Sequence, residues 1–202
     1  MTNPISGKNI LLGITGSIAA YKAADLASKL TQAGAQVDAI LTPAALKFIT
    51  PLTFQSVTGR KAFTEEDLWG GEGHVRHIGL GLAGDLLVIA PASANTIAKL
   101  AHGIADNLLT LTALAARCPI MIAPAMDGGM FSNPATQANL EILRQRGGVI
   151  VGPAAGRMAS AGGSAITRCT DRPEPSKPAP SATRRAVVIS SRSTWNSSPG
   201  MR

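Results

Sequence analysis

Aromatic residues are scarce in this 202-residue chain, at 3% against 45% hydrophobic residues overall. A core without them has to be filled by Ala, Ile, Leu and Val, which favours a parallel sheet covered by helices over a β-sandwich. Only two cysteines occur, Cys118 and Cys169, far apart and without metal-ligand spacing. That excludes a disulfide framework and points to a reducing compartment. No apolar run approaches the roughly 18 residues of a membrane helix. The opening residues 1–8 also lack a basic start followed by an apolar stretch, so a soluble, cytoplasmic protein is expected.

Acidic residues are few as well, 12 against 19 Lys and Arg, for a net charge of +7. Seven of those cations lie between Arg168 and Arg202 against only Asp171 and Glu174, so +5 belongs to the end of the chain and +2 to the rest. The excess therefore marks a basic tail and not a nucleic-acid surface. From Thr167 onward Ser, Pro, Arg and Thr dominate, broken only by Ala186-Val-Val-Ile189. The expected organisation is one domain over residues 1–163 and a disordered basic tail over 164–202. The tail reads as out-of-frame or truncated coding sequence, with a genuine short variant as the alternative.

Strand and helix patterns alternate through the first part. Apolar runs over Asn9–Ile14, Gln36–Leu41, residues 85–90, residues 120–123 and residues 149–151 read as buried strands. Between them, Ser17 is expected to cap a helix reaching Ala33, with Gly34 just beyond its end. Pro43 and Pro51 open short helices over residues 44–49 and 52–57, and Gly59 closes the second. Residues 61–73 read as a surface loop and residues 74–82 as a weak helix. Helices over residues 94–100 and 106–117 are separated at Gly103, and Asn133-Pro134 opens a helix to Arg146 that ends at Gly147-Gly148. The expected fold class is α/β, a doubly wound parallel sheet in a single domain.

Three segments carry chemistry. Thr15-Gly16-Ser17-Ile18-Ala19-Ala20 stands between a strand and a helix, which suits either an ordinary serine cap or an anion held on backbone N–H groups. Ser93-Ala94-Asn95-Thr96 follows the strand at residues 85–90, and Pro124-Ala-Met-Asp-Gly-Gly-Met130 follows the next one. In each case short polar side chains sit where an open α/β sheet binds ligands. His74 and His77 share a helix face, but no Cys, His or Glu completes a metal site, so no metal is expected. His102 reads as structural.

The second and third segments resemble the Ser-Ala-Asn-Thr and Pro-X-Met-Asn-X-X-Met loops of the flavin-dependent cysteine decarboxylases, and in particular the flavoprotein half of the bacterial phosphopantothenoylcysteine decarboxylases. The resemblance runs from about Lys8 to about Gly162. It implies a Rossmann-like flavoprotein that binds FMN, with contacts from Gly16, Ser17, Thr42, Phe48, Ser93, Ala94, Asn95, Thr96 and Ala125. His77-Ile78-Gly79-Leu80 matches the segment that holds the family's catalytic histidine, and an imidazole suits proton transfer near neutral pH. Asp127 stands where the family has the asparagine that meets the substrate carboxylate, so an ionised Asp127 faces like charge. Asp127 and Met130 are the implied substrate contacts. Within Gly156-Arg-Met-Ala-Ser-Ala-Gly162, matched to a flap over the substrate, Ser160 takes the place of a catalytic cysteine and is a far weaker acid.

The activity implied by the resemblance is decarboxylation of 4′-phosphopantothenoylcysteine to 4′-phosphopantetheine in coenzyme A biosynthesis. As the resemblance implies, oxidised flavin would take a hydride from the thiol-bearing carbon, and reduced flavin would return it after carbon dioxide is lost. A homotrimer or a multiple of it is implied, with FMN between subunits, as is a separate phosphopantothenate–cysteine ligase as partner. The rivals are a peptidyl-cysteine decarboxylase, a flavin prenyltransferase, or a non-catalytic FMN-binding regulatory subunit. Asp127, Ser160 and the lack of the family's glycine-rich continuation into a second domain point toward the last of these.

Overall fold

In the computed structural model, residues 3–69, 76–152, 155–157 and 164–166 are described, all within one unit, Met1–Asp171. The strand expected over Asn9–Ile14 forms with those bounds (β1), as does Gln36–Leu41 (β2). Between them lies α1, Ala20–Gln32, which ends in a reverse turn around Gly34. There the Gly34 N–H donates to Thr31 O at 2.9 Å and the Ala35 N–H to Leu30 O at 3.1 Å, a Schellman pattern that uses the positive φ of Gly34.

Ser17 does not cap α1, contrary to expectation. The cap position is Ala19, which makes no side-chain bond, because a turn intervenes in which the Ala20 N–H reaches Ser17 O at 2.9 Å. The serine hydroxyl is held by a distant loop instead. The expected helix over 44–49 is only a 3-10 turn, Ala45–Lys47, and the next is α2, Pro51–Thr58, closed by Gly59 in the left-handed region.

Residues 61–73 are not all loop. Ala62–Phe63 (β3) adds to the sheet beside β2, and Glu66–Trp69 forms a turn of helix (α3). The polar residues that suggested a loop do capping work: the Asp67 carboxylate accepts from the Thr64 N–H at 2.8 Å and pairs with Lys61. Arg76–Ala83 (α4) follows, then β4, Leu86–Ala92, two residues longer than expected at its end. Its pairing with β5 (Ile120–Pro124) shifts register between Ile89 and Ala92, where the Ala90–Pro91 peptide is cis. A proline is tolerated in a central strand only at such an irregularity.

Ser93 caps α5, Ala94–His102, and Gly103 closes it. The following helix, α6, starts at Leu108 and not at residue 106, because Asn107 and Thr110 form a reciprocal capping box. Asp106 is drawn away by Lys99 at 2.6 Å. After β5 come β6, Met126–Asp127, and α7, Gly128–Ser132, where only a glycine-rich loop was expected. Asn133 then caps α8, Pro134–Gln145, as expected, and β7, Val149–Ile150, follows. Ala155–Arg157 (β8) and Ser164–Ile166 (β9) complete a small antiparallel sheet in the order β6-β9-β8. The last of these strands lies just past residue 163, where the domain was expected to end, and β8 overlaps the first two residues of the segment expected to be a flap.

The main sheet is wholly parallel, in the order β3-β2-β1-β4-β5-β7. Side chains alternate across it. Ile10, Leu12 and Ile14 pack on one face with Ala20, Ala23, Ala27 and Phe54, so α1 and α2 cover that side. Leu11 packs on the other with Ile97, Leu109 and Leu140, under α5, α6 and α8. Gly13 lies on this second face, where a Cβ would come within 2.6 Å of Leu109 Cδ1. Strand order reverses between β1 and β4, and in open α/β sheets the crevice for ligands opens at the carboxyl ends of the strands flanking such a switch point.

Candidate functional site at the switch point

The segments that leave β1, β2, β4 and β5 all emerge on the carboxyl edge, and hydrogen bonds tie them together. The Thr15 hydroxyl donates to Pro91 O at 2.7 Å and accepts from the Ser93 N–H at 2.8 Å. The Ala125 N–H donates to Ala92 O at 3.0 Å. The Ser17 hydroxyl donates to Ala125 O and accepts from the Ala19 N–H, both at 3.3 Å. Thr42, buried, donates its hydroxyl to Ile14 O at 3.3 Å and receives the Ala45 N–H. Gly16 lets the first loop lie against the second, since a Cβ there would stand 2.6 Å from Ala44 Cβ.

Of the residues that the sequence singled out, Gly16, Ser17, Thr42, Ser93, Ala94, Asn95, Thr96 and Ala125 therefore share one edge. Ser93 accepts from the Thr96 N–H at 3.3 Å and its hydroxyl meets Thr96 Oγ1 at 3.2 Å. The amides of Ala94 and Asn95 precede the first intrahelical donor of α5 and point along the helix axis toward the edge. Asn95 is exposed, whereas Thr96 and Ala125 are buried. Phe48 and Met130 are each about half exposed.

Asp127 is half-buried at the head of α7, where its carboxylate accepts from the Gly129 N–H at 2.8 Å. His77 comes from α4, whose far end meets the sheet's amino edge: Asn9 donates to Ala83 O at 3.3 Å, and the Asp85 N–H to Asn9 O at 2.8 Å. The first turn of α4, with His77, thus lies toward the carboxyl edge. Its Nδ1 is buried and has no partner among the described residues. No hydrogen bond joins it to the four loops. His74 and Ser160 lie outside the described residues.

Thr15 is the site residue that sequence reasoning misses, since its partners, Pro91 O and the Ser93 N–H, lie 76 and 78 residues away and no local signal marks them. His102 is exposed and bonds Asn139 at 3.0 Å. Cys118 is part-buried, and burial pushes its thiol above the ordinary range, which disfavours the reactive thiolate. Among the described residues, no group of three His, Cys, Asp or Glu could hold a metal ion, and no helix is long and apolar enough to cross a membrane.

A family model described as Flavoprotein matches residues 2–171. The coenzyme A biosynthesis bifunctional protein CoaBC of Bacillus subtilis (strain 168) is 43% identical over 155 residues, which cover 77% of this chain and 38% of that protein. The chain therefore spans under two fifths of the curated relatives it matches. Among solved structures, a PPC decarboxylase mutant complexed with pantothenoylaminoethenethiol is 34% identical with a TM-score of 0.71, covering 80% of this chain and 92% of that one. The FMN-dependent cysteine decarboxylase SpaF is 36% identical with a TM-score of 0.70, covering 81% and 91%.

Proposed function

The chain belongs to the Flavoprotein family, and from that premise we propose that it binds FMN at the carboxyl edge and decarboxylates 4′-phosphopantothenoylcysteine to 4′-phosphopantetheine in coenzyme A biosynthesis. The observation that carries this reading is the convergence of the loops after β1, β4 and β5 at the switch point, tied by the Thr15, Ser17 and Ala125 hydrogen bonds. The donor set fits a flavin phosphate. Neither Thr15-Gly16-Ser17 nor Ser93-Ala94-Asn95-Thr96 contains a carboxylate, the leading amides of α5 face the edge, and Gly16 keeps the first loop low against Ala44.

In this reading Gly16, Ser17 and residues 93–96 hold the phosphate and its sugar-like chain. Thr42, Phe48 and Ala125 border the ring. When bound, FMN supplies two-electron redox chemistry at the thiol-bearing carbon, which makes loss of carbon dioxide feasible. The protein's part is orientation and proton handling. With Nδ1 of His77 buried, proton exchange belongs to Nε2. Met130 and Asp127 border the substrate, and Ser160 is placed in the covering segment by its motif position alone.

The protein is proposed to act as a homotrimer or a multiple of it. Ile18, just before α1, Tyr21 in α1 and Leu52 in α2 are large apolar side chains 67%, 63% and 67% exposed, the kind of surface that another copy would cover. A phosphopantothenate–cysteine ligase is the proposed partner, because the curated relative is a bifunctional coenzyme A biosynthesis protein. The cytoplasm is the proposed location.

Purified protein is expected to carry flavin absorbance and to form one 4′-phosphopantetheine per carbon dioxide released, as read by mass spectrometry. A colourless protein that neither takes up FMN nor consumes the substrate overturns the reading. Asp127→Asn separates turnover from mere binding. Asparagine caps a helix as well as aspartate does, so α7 is expected to persist while one negative charge near the substrate carboxylate disappears. A repulsion of about 1 kcal/mol corresponds to a rate gain of about fivefold at low substrate. A fall in rate would instead make Asp127 a working group, and flavin binding without turnover in either protein would favour a regulatory FMN-binding subunit.

A further inference from the structure

The loops of the site are joined into a closed ring of hydrogen bonds. It passes from Thr15 to Pro91 in β4 and Ser93 just after it, from Ala92 to Ala125 after β5, and from Ala125 back to Ser17, two residues beyond its start. We propose that Thr15, fully buried beneath these loops, is the positioning residue that fixes their mutual spacing for FMN. The proposal rests on the FMN reading above and adds a residue that is no part of the ligand contacts.

The reason a threonine is needed lies in β4. Its register against β5 shifts between Ile89 and Ala92, and a ladder interrupted there leaves backbone groups to be satisfied some other way. One hydroxyl can donate to a carbonyl and accept from an amide at once. Thr15 does both, at 2.7 Å to Pro91 O and 2.8 Å from the Ser93 N–H, bridging strands whose residues lie 76 and 78 positions apart in sequence. The Ser93 amide so held belongs to the residue that caps α5, whose leading amides face the edge. Fixing Ser93 therefore aims the anion-binding end of the helix.

Removing the hydroxyl has different consequences with and without ligand. Ser93 is only half-buried by the protein's own residues, so without FMN its loop can relax and give the amide to water. With FMN in place that relaxation is blocked, and the unpaired groups add their cost to the bound state alone. Thr15→Val keeps the shape without the hydroxyl and is expected to weaken FMN binding about ten- to a hundredfold. Thr15→Ser keeps both bonds and is expected to stay within about threefold of the original protein, by the same reasoning. Thr112 serves as a control. It is equally buried, and its hydroxyl bonds Leu108 O at 2.7 Å within α6, away from the ring.

The test measures FMN dissociation constants by flavin fluorescence titration of the apoprotein for the original chain, Thr15→Val, Thr15→Ser and Thr112→Val. Hydrogen exchange over residues 91–97 is followed in the same proteins. The expected result is weakened binding and faster exchange at Ser93 in Thr15→Val only, with recovery in Thr15→Ser. If Thr15→Val does not fold, Thr15→Ala carries the same comparison. Original-like affinity in Thr15→Val, or equal weakening in Thr15→Ser and Thr112→Val, would overturn the proposal while leaving FMN binding in place. Failure of the original chain to bind FMN would overturn the underlying reading instead.

Discussion

Replacing His77 by asparagine is expected to leave flavin bound and to cut carbon dioxide release by about 10²- to 10⁴-fold, the usual contribution of a positioned proton carrier. The flavin should stay because His77 comes from α4, while the proposed FMN contacts lie in the loops after β1, β2, β4 and β5, and no hydrogen bond links it to them. Asparagine is polar and can fill part of the imidazole's space, but it cannot take up and return a proton near neutral pH. The buried Nδ1 gives a second check. Glutamine, which reaches farther toward the Nε2 position, should be no more active than asparagine, since hydrogen bonding without proton exchange does not restore the step. If Gln recovers most of the activity, His77 holds the substrate and the proton passes elsewhere. Unchanged release in both variants removes His77 from the mechanism.

The parts of this fold that could be read from sequence share a physical cause: each is specified by residues close along the chain. β1 and β2 are apolar runs because a parallel sheet buries both faces of its strands, and both formed with the expected bounds. The start of α8 at Asn133-Pro134 was legible for a similar reason, since the cap and the first proline act within one turn. Ser17 was misread because the partner of its hydroxyl, Ala125 O, lies 108 residues away. Nothing local distinguishes that serine from a helix cap.

Composition misled in the polar segments. Residues 61–67 look like loop, yet Lys61, Thr64 and Asp67 close a small cap around α3, and Glu65 reaches across to the first amide of α6 at 3.0 Å. In the site itself, the motifs marked which loops matter but not how they are used. The Ser17 and Thr42 hydroxyls, read as cofactor ligands, are engaged with Ala125 O and Ile14 O, so they brace the cradle as much as they face it. Thr15 was passed over because its importance lies in two backbone partners that only the sheet's reversal of order brings near.

Ser17→Asp is expected to release FMN while preserving the fold, and its magnitude follows from charge. Aspartate can accept from the Ala19 N–H as the serine hydroxyl does at 3.3 Å, so the turn into α1 keeps its local support. What changes is a carboxylate placed beside the proposed phosphate. Two like charges about 4 Å apart in a half-buried setting, at an effective dielectric of about 20, repel by about 4 kcal/mol, which is close to a 10³-fold loss of affinity. Aspartate also cannot donate to Ala125 O, which gives up one bond of the ring. Comparison with riboflavin separates the two effects, because riboflavin lacks the phosphate and feels only the structural one. The variant should therefore bind FMN far more weakly than the original chain but lose riboflavin affinity by only about tenfold, the scale of one hydrogen bond. Ser17→Ala, which removes the same donor without adding charge, should resemble the riboflavin result for both ligands. Stoichiometric FMN in purified Ser17→Asp would place the phosphate away from this loop, and equal losses for FMN and riboflavin would show that Ser17 braces the loops without meeting the phosphate.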